Sequence, residues 1–251
     1  NNKIIFNLEI IKDKPFHFKK FTIYQDKTAM KIGTDGILLG AWCSLKDNTN
    51  KILDIGSGTG VISLMLAQRF NNTTIDSVEI ENNAYEQSVE NFERSVWADR
   101  LFCFHSTFQD FAKERKEDGE TYDLIISNPP FYTDNVKNNN RARNKARSTS
   151  FLSFVELISG VSKILSNQGE FTTIIPFKEE AKFIEISKQN NLFLNKICRV
   201  KGNNNSDIKR SLLTFSFYKK QLDENNLIIE TSRHLYTDEY INLTKNFYIK
   251  M

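Results

Sequence analysis

The period of apolar and polar positions changes repeatedly along the chain, from short apolar runs to the three-and-four spacing of helices. KILDI at 51–55 is a short apolar run, VISLMLAQR at 61–69 repeats apolar residues at helical spacing, and TIDSVEI at 74–80 is strand-like again. Residues 82–92 predict a helix, 101–105 a third strand, 110–115 a short helix and YDLIIS at 122–127 a fourth strand. The clearest amphipathic helix is predicted over 151–165, with Phe151, Phe154, Val155, Ile158, Val161 and Leu165 on one stripe. Gly169 stops the chain before a strand at 170–176, EFTTIIP. A helix over 178–189 and a closing pair of strands over 192–200 and 211–218 complete the alternation. It implies an α/β fold, a largely parallel sheet with helices on both faces, whose ligands sit at the carboxyl ends of the strands. FHFKKFTIYQDKTAMKI, ahead of Gly33, reads as a hairpin region, which divides the chain into residues 1–32 and a main domain over 33–251.

Composition narrows the class only a little. With 251 residues, 39% hydrophobic and 26% charged, the chain can build one large or two small cores. No apolar run approaches membrane-spanning length and no leader is evident, so cytoplasmic residence and no membrane partner are expected. Cys43, Cys103 and Cys198 are far apart and in no CxxC pair, and the three histidines are scattered, so reduced thiols and no metal site are expected. The net charge of +3 says less than its distribution. Residues 135–155 carry no acid, while Lys137, Arg141, Arg143, Lys145 and Arg147 fall within KNNNRARNKAR. A charge run alone is more often a solvated face. This one follows SNPPFY directly, which makes it a candidate phosphate-contacting loop.

SNPPFY, residues 127–132, ends the fourth strand. Proline fixes its own backbone and drives the preceding residue toward an extended conformation, so Asn128 and Pro129 are both restrained by the proline that follows each. The segment therefore holds an amide side chain, free carbonyls and aromatic faces in fixed relation. A rigid turn with core aromatics would explain Pro129, Pro130 and Phe131, but not the asparagine ahead of them.

LDIGSGTG, residues 53–60, lies between the first strand and first helix. Gly56, Gly58 and Gly60 permit a sharp turn and close approach of a ligand to bare backbone. Glu79, about 20 residues further on, ends the second strand, where a carboxylate meets a ribose diol. The GxGxG spacing, with no basic residue after it, favours a nucleoside cofactor without a pyrophosphate. Asp54 would be the acidic partner of an ammonium group.

LDIGSGTG, SVEIE and SNPPFY, in this order and spacing, resemble the Rossmann-like S-adenosylmethionine-dependent methyltransferases. MKIGTDGILLGAW at 30–42 and RNKAR at 143–147 narrow the likeness to the bacterial tRNA1(Val) adenine N6-methyltransferase family, and the likeness runs from about Phe16 to the C-terminus. It implies a class I methyltransferase fold, a mostly parallel seven-stranded sheet with helices on both faces plus the small N-terminal hairpin region. It also implies S-adenosyl-L-methionine as cofactor, bound through Asp54, Gly56, Gly58, Gly60, Glu79 and Asn128. The substrate implied is tRNA, methylated on an adenine beside the anticodon, with Lys137, Arg141, Arg143 and Arg147 as RNA contacts and no obligatory protein partner. Where the family more often has an acid that accepts the cofactor's adenine amine, this chain has Phe108, and the backbone at Phe108 or Gln109 is the expected substitute.

The expected catalytic set is Asn128, Pro129, Pro130 and Phe131. The amide oxygen of Asn128 and the carbonyl of Pro129 would accept both N–H bonds of an exocyclic amine, and Phe131, with Tyr132, would stack on an unstacked base. The same paired acceptors suit a glutamine side-chain amide or a guanine N2 amine, and an RNA-binding scaffold that kept the fold is the reading without chemistry. Thr34 and Asp35 read equally as helix caps or cofactor contacts beside Lys31. His105 reads as a packed strand-end residue, and Lys209 and Arg210 as part of a solvated loop.

Overall fold

The computed structural model describes residues 14–44, 46, 49–130 and 152–250. Its main-sheet strands are β3 (Lys51–Ile55), β4 (Thr74–Glu79), β5 (Leu101–His105), β6 (Tyr122–Ser127), β7 (Leu165–Pro176), β8 (Phe193–Asn203), β9 (Ile208–Ser216), β10 (Asp223–Ser232) and β11 (Leu235–Tyr236). The order across the sheet is β11-β10-β8-β9-β7-β6-β3-β4-β5. β5, β4, β3, β6 and β7 are parallel, and β9 runs antiparallel between β7 and β8. All seven strands expected from the sequence are present. β10 and β11 extend the edge beyond β8, with β10 parallel to it. Their pattern hid them, because DENNLIIETS has only a three-residue apolar run, Leu227–Ile229, of which Leu227 alone is buried.

The central strands read as near-continuous apolar segments because both faces are covered. Neighbouring residues of β3 divide between two cores: Ile52 packs with α1 (Thr34–Trp42) and α2 (Val61–Arg69), and Leu53 with the helices of the opposite face. Those are α4 (Phe108–Glu117), α5 (Phe154–Ile164) and α6 (Glu180–Gln189). α3 (Asn82–Glu93) lies against β4 and β5, and α7 (Asp238–Thr244) packs on β10.

Three local expectations shift. α5 begins at Phe154, because Ser153 and Glu156 form a reciprocal capping box. Its buried stripe is Leu157, Ile158, Val161 and Ile164, leaving Val155 58% exposed. Gly169 does not end a helix; it lies inside β7, where a Cβ would stand 2.9 Å from the Tyr122 carbonyl oxygen. α4 starts earlier than its apolar spacing suggested, because the Thr107 hydroxyl caps it by accepting from the Asp110 amide at 3.1 Å.

The N-terminal strands β1 (Phe16–His17) and β2 (Thr22–Ile23) form their own two-stranded ladder. Their neighbourhood is not a separate core, since Phe18, Phe21 and Ile23 are buried with α1 and α2, and Phe18 pairs with Tyr248. Among the described residues no helix is long and apolar enough to cross a membrane.

Candidate active site

The carboxyl ends of β3, β4, β5 and β6 deliver four turns to one place. After β3, Gly56, Gly58 and Gly60 have φ of +77°, +57° and +78°, the left-handed region open chiefly to glycine. A Cβ on Gly56 or Gly58 would meet nothing within 4 Å, so their backbone faces open space. Gly60 differs: it is the N-cap of α2, and a Cβ there would lie 2.5 Å from the Phe92 ring.

Glu79 ends β4 and is 8% exposed. Its Oε2 accepts the Gly58 N–H at 2.9 Å, and its Oε1 accepts the N–H groups of Ile80 and Glu81, both at 2.9 Å. One carboxylate thus ties the glycine loop to the turn before α3, with lone pairs remaining for a ligand hydroxyl. The β5–α4 turn contributes Ser106, Phe108 and Gln109, and the first-turn amides of α4 have no intrahelical acceptors.

Asn128 follows β6. The Ser127 hydroxyl donates to the Ile55 carbonyl at 3.0 Å, and the Ser127 carbonyl accepts from Thr173 at 2.9 Å, so the strand end is anchored on both sides. Pro129 is buried and Pro130 exposed. The half-buried Asn128 amide has no hydrogen-bond partner among the described residues, and α1 passes beside it at Gly36.

These turns, with residues 28–33 as a further wall, enclose a cavity of about 370 Å³, the size of a small-molecule site. Gly56, Gly58, Glu79, Phe108, Asn128, Pro129 and Pro130 line it together. Asp54 and Gly60 lie off its wall. Asp54 is fully buried behind the loop, where its Oδ2 accepts from Ser63 at 2.7 Å and its Oδ1 has no partner. Burial, more than any neighbour, pushes its carboxyl up to about 7, with the charge of Glu79 adding to the shift against the Ser63 hydrogen bond.

Lys31 lines the cavity, its ammonium donating to the carbonyls of Gln25 at 2.6 Å and Thr28 at 2.9 Å. The capping reading of Thr34 and Asp35 does not hold. α1 has Gly33 as N-cap with no side-chain bond, neither residue lines the cavity, and Asp35 accepts from Arg210 Nε at 2.7 Å. Lys209 and Arg210 lie in strand β9 and not in the solvated loop expected for them, and this ion pair holds Arg210. His105 is exposed and stacks on Tyr85 with centroids 4.9 Å apart. Phe131, Tyr132, Lys137, Arg141, Arg143, Lys145 and Arg147 lie outside the described residues. Sequence reasoning missed the segment 28–33 as a cavity wall, and missed the buried polar face of α3, Gln87, Ser88 and Asn91. The signal was available, since these residues share one helical stripe with Ala84 and Phe92.

The family description "Methyltransferase small domain" matches residues 36–184. A protein of Christiangramia forsetii, named tRNA1(Val) (adenine(37)-N6)-methyltransferase, is 55% identical, over 96% of this chain and all of its own. Proteins of the same name from Pseudoalteromonas translucida and Bacteroides fragilis are each 43% identical over 94% of this chain, and 99% and 98% of their own. Among solved structures, a predicted O-methyltransferase from Agrobacterium tumefaciens superposes with a TM-score of 0.67 at 21% identity, over 85% of this chain and 96% of its own. That likeness is one of fold.

Proposed function

The chain belongs to the methyltransferase small domain family and, within it, to the tRNA1(Val) (adenine(37)-N6)-methyltransferases, and on that premise we propose that it transfers a methyl group from S-adenosylmethionine to the exocyclic N6 of an adenine in tRNA, beside the anticodon. The observation that carries the site assignment is the Asn128 amide, without a hydrogen-bond partner among the described residues, lining the same cavity as the bare backbone of Gly56 and Gly58 and the carboxylate of Glu79.

The residues present fit this cofactor. Gly56 and Gly58 offer backbone without side chains, Glu79 offers acceptors to a ribose diol, and the amides opening α4 offer donors to an adenine ring nitrogen in the absence of an acidic side chain at Phe108. When bound, S-adenosylmethionine supplies an electrophilic methyl group on a sulfonium. Asp54, fully buried behind the loop and off the cavity wall, is not among the groups placed to touch the cofactor.

An exocyclic adenine amine is a poor nucleophile because its lone pair is shared with the ring. The Asn128 side-chain oxygen and the Pro129 carbonyl accept its two N–H groups, which favours a pyramidal nitrogen with its lone pair free to attack. Pro129 and Pro130 have no N–H to compete, so the backbone of these two residues presents acceptors only. Positioning and fixed dipoles supply the rate, and no side-chain base is needed because a methylated ammonium is acidic enough to release its proton to water.

Pro130 and Leu152, the residues that flank 131–151 in sequence, both line the cavity. The five cations between them are positioned in sequence to meet phosphates around the target base. Incubating the purified protein with labelled S-adenosylmethionine and bulk tRNA, followed by nucleoside mass spectrometry, is expected to give labelled N6-methyladenosine. Unlabelled tRNA, with label on a release-factor glutamine or an rRNA guanine, would replace this reading.

A further inference from the structure

The inward face of α3 carries amide and hydroxyl side chains where a surface helix ordinarily carries apolar ones. Asn91 is fully buried and uses its whole amide. Its Oδ1 accepts the Tyr24 N–H at 2.9 Å, and its Nδ2 donates to the Tyr24 carbonyl at 2.8 Å and to the Thr59 carbonyl at 2.9 Å. β2 ends at Ile23, so the backbone of Tyr24 has no strand neighbour, and Asn91 supplies both bonds that one would have made.

One helical turn earlier, Gln87 accepts the Lys27 N–H at 2.9 Å and Ser88 donates to the Gly58 carbonyl at 3.0 Å. One face of α3 therefore holds the N-terminal strap with some side chains and the glycine loop with others, and Asn91 holds both. The strap is also closed on itself: Lys31 donates to the Gln25 and Thr28 carbonyls, and the Gln25 side chain accepts the Ile32 N–H at 3.0 Å. Residues 25–32 are thus tied to one another and to their anchor, and residues 28–33 are a wall of the cavity.

We propose that Asn91 is a positioning residue for the cofactor site, fixing the strap of residues 24–33 to the glycine loop so that the cavity is complete before the ligand arrives. The proposal rests on the cofactor reading above. Two donors and one acceptor at a single buried point suit an asparagine. A carboxylate of the same shape keeps the acceptor but sets negative charge against two carbonyls, leaving both without a donor. Once the strap is released for part of the time, apparent affinity falls by the fraction of molecules with the wall in place.

The experiment is calorimetric titration with S-adenosylhomocysteine, without RNA or turnover, on wild type, Asn91→Asp and Gln87→Met, with hydrogen exchange followed by mass spectrometry. Asn91→Asp is expected to bind about ten-fold more weakly, which corresponds to the strap engaged about a tenth of the time. Exchange should quicken over residues 24–33 and stay unchanged over β8 and β9. Gln87→Met, which removes only the Lys27 contact, should shift both readouts less and in the same direction. Wild-type affinity in Asn91→Asp, or protection lost across the whole sheet, overturns the proposal. If Asn91→Asp does not fold, Gln87→Met decides, and wild-type affinity there overturns it. A wild-type protein that binds no S-adenosylhomocysteine instead overturns the cofactor reading on which this one stands.

Discussion

At the scale of single residues, Asn128 and Asp54 are polar groups with opposite situations. Asn128 has an open amide at the cavity. Replacing it with alanine removes one of two acceptors proposed for the target amine, and leaves in place the Gly56 and Gly58 backbone and the Glu79 carboxylate proposed to hold the cofactor. Methyl transfer from the Asn128→Ala protein is expected to fall by roughly 10²–10³-fold or more, the cost of losing one fixed dipole at a reacting centre, while S-adenosylhomocysteine affinity and thermal midpoint stay near wild type. Single-turnover kinetics beside calorimetry separates the two, and parallel losses in both would make Asn128 structural. Asp54 has no such access. Its folded-state carboxyl titrates near 7, above its usual 3.8, so the native state holds a proton that the unfolded chain has released. Its stabilising contribution is therefore complete below about pH 4 and lost as pH rises through 7. Glu120 and Glu156, whose carboxyls are pulled down by Lys51 and Ser153, act with the opposite sign, and only in the acid range. Across pH 5–8, Asp54→Asn should gain thermal midpoint relative to wild type, and parallel pH profiles for the two proteins would refute the assignment.

At the scale of elements, the pattern was most legible where strands are buried on both faces and helices have one apolar stripe. β3, α2, β5 and β6 have the expected bounds because both signals end abruptly at glycine, asparagine or charged residues. The edge was illegible: β10 gains its place by backbone pairing with β8 and buries too little for its sequence to show it. Close approach between helices was equally hidden. Gly160 reads as a neutral position in an amphipathic helix, yet a Cβ there would stand 2.4 Å from the ring of Phe108, which lines the cavity. Gly160→Ala therefore forces that ring toward the cavity or separates α4 from α5. Expected outcomes are a stability loss of about 1–3 kcal/mol by denaturant titration and weaker S-adenosylhomocysteine binding by calorimetry. Full stability with unchanged affinity would show that the ring can move aside without cost.

At the scale of the whole molecule, the two motifs that sequence reading singled out, GxGxG and NPP, do meet at one cavity, because parallel neighbours β3 and β6 end side by side. What single-sequence reasoning could not supply was the wall from residues 28–33 and its attachment to α3, since that attachment depends on contacts between segments some 60 residues apart. The same topology bears on the RNA. A net charge of +3 says little about polyanions by itself, and the RNA contact proposed here is the acid-free run that follows Asn128 in sequence. Binding to tRNA is therefore expected to weaken with salt with a log–log slope of roughly −0.7 to −0.9 per phosphate neutralised. Replacing Arg143 and Arg147 together by alanine should flatten that slope by about two contacts' worth and weaken binding to every tRNA alike, because phosphate contacts set position while base contacts specify. Filter binding across a salt series, with mapping of the methylated nucleoside, checks both parts. An unchanged slope would move the RNA surface elsewhere on the molecule, and a changed target base would mean that these arginines read sequence as well as charge.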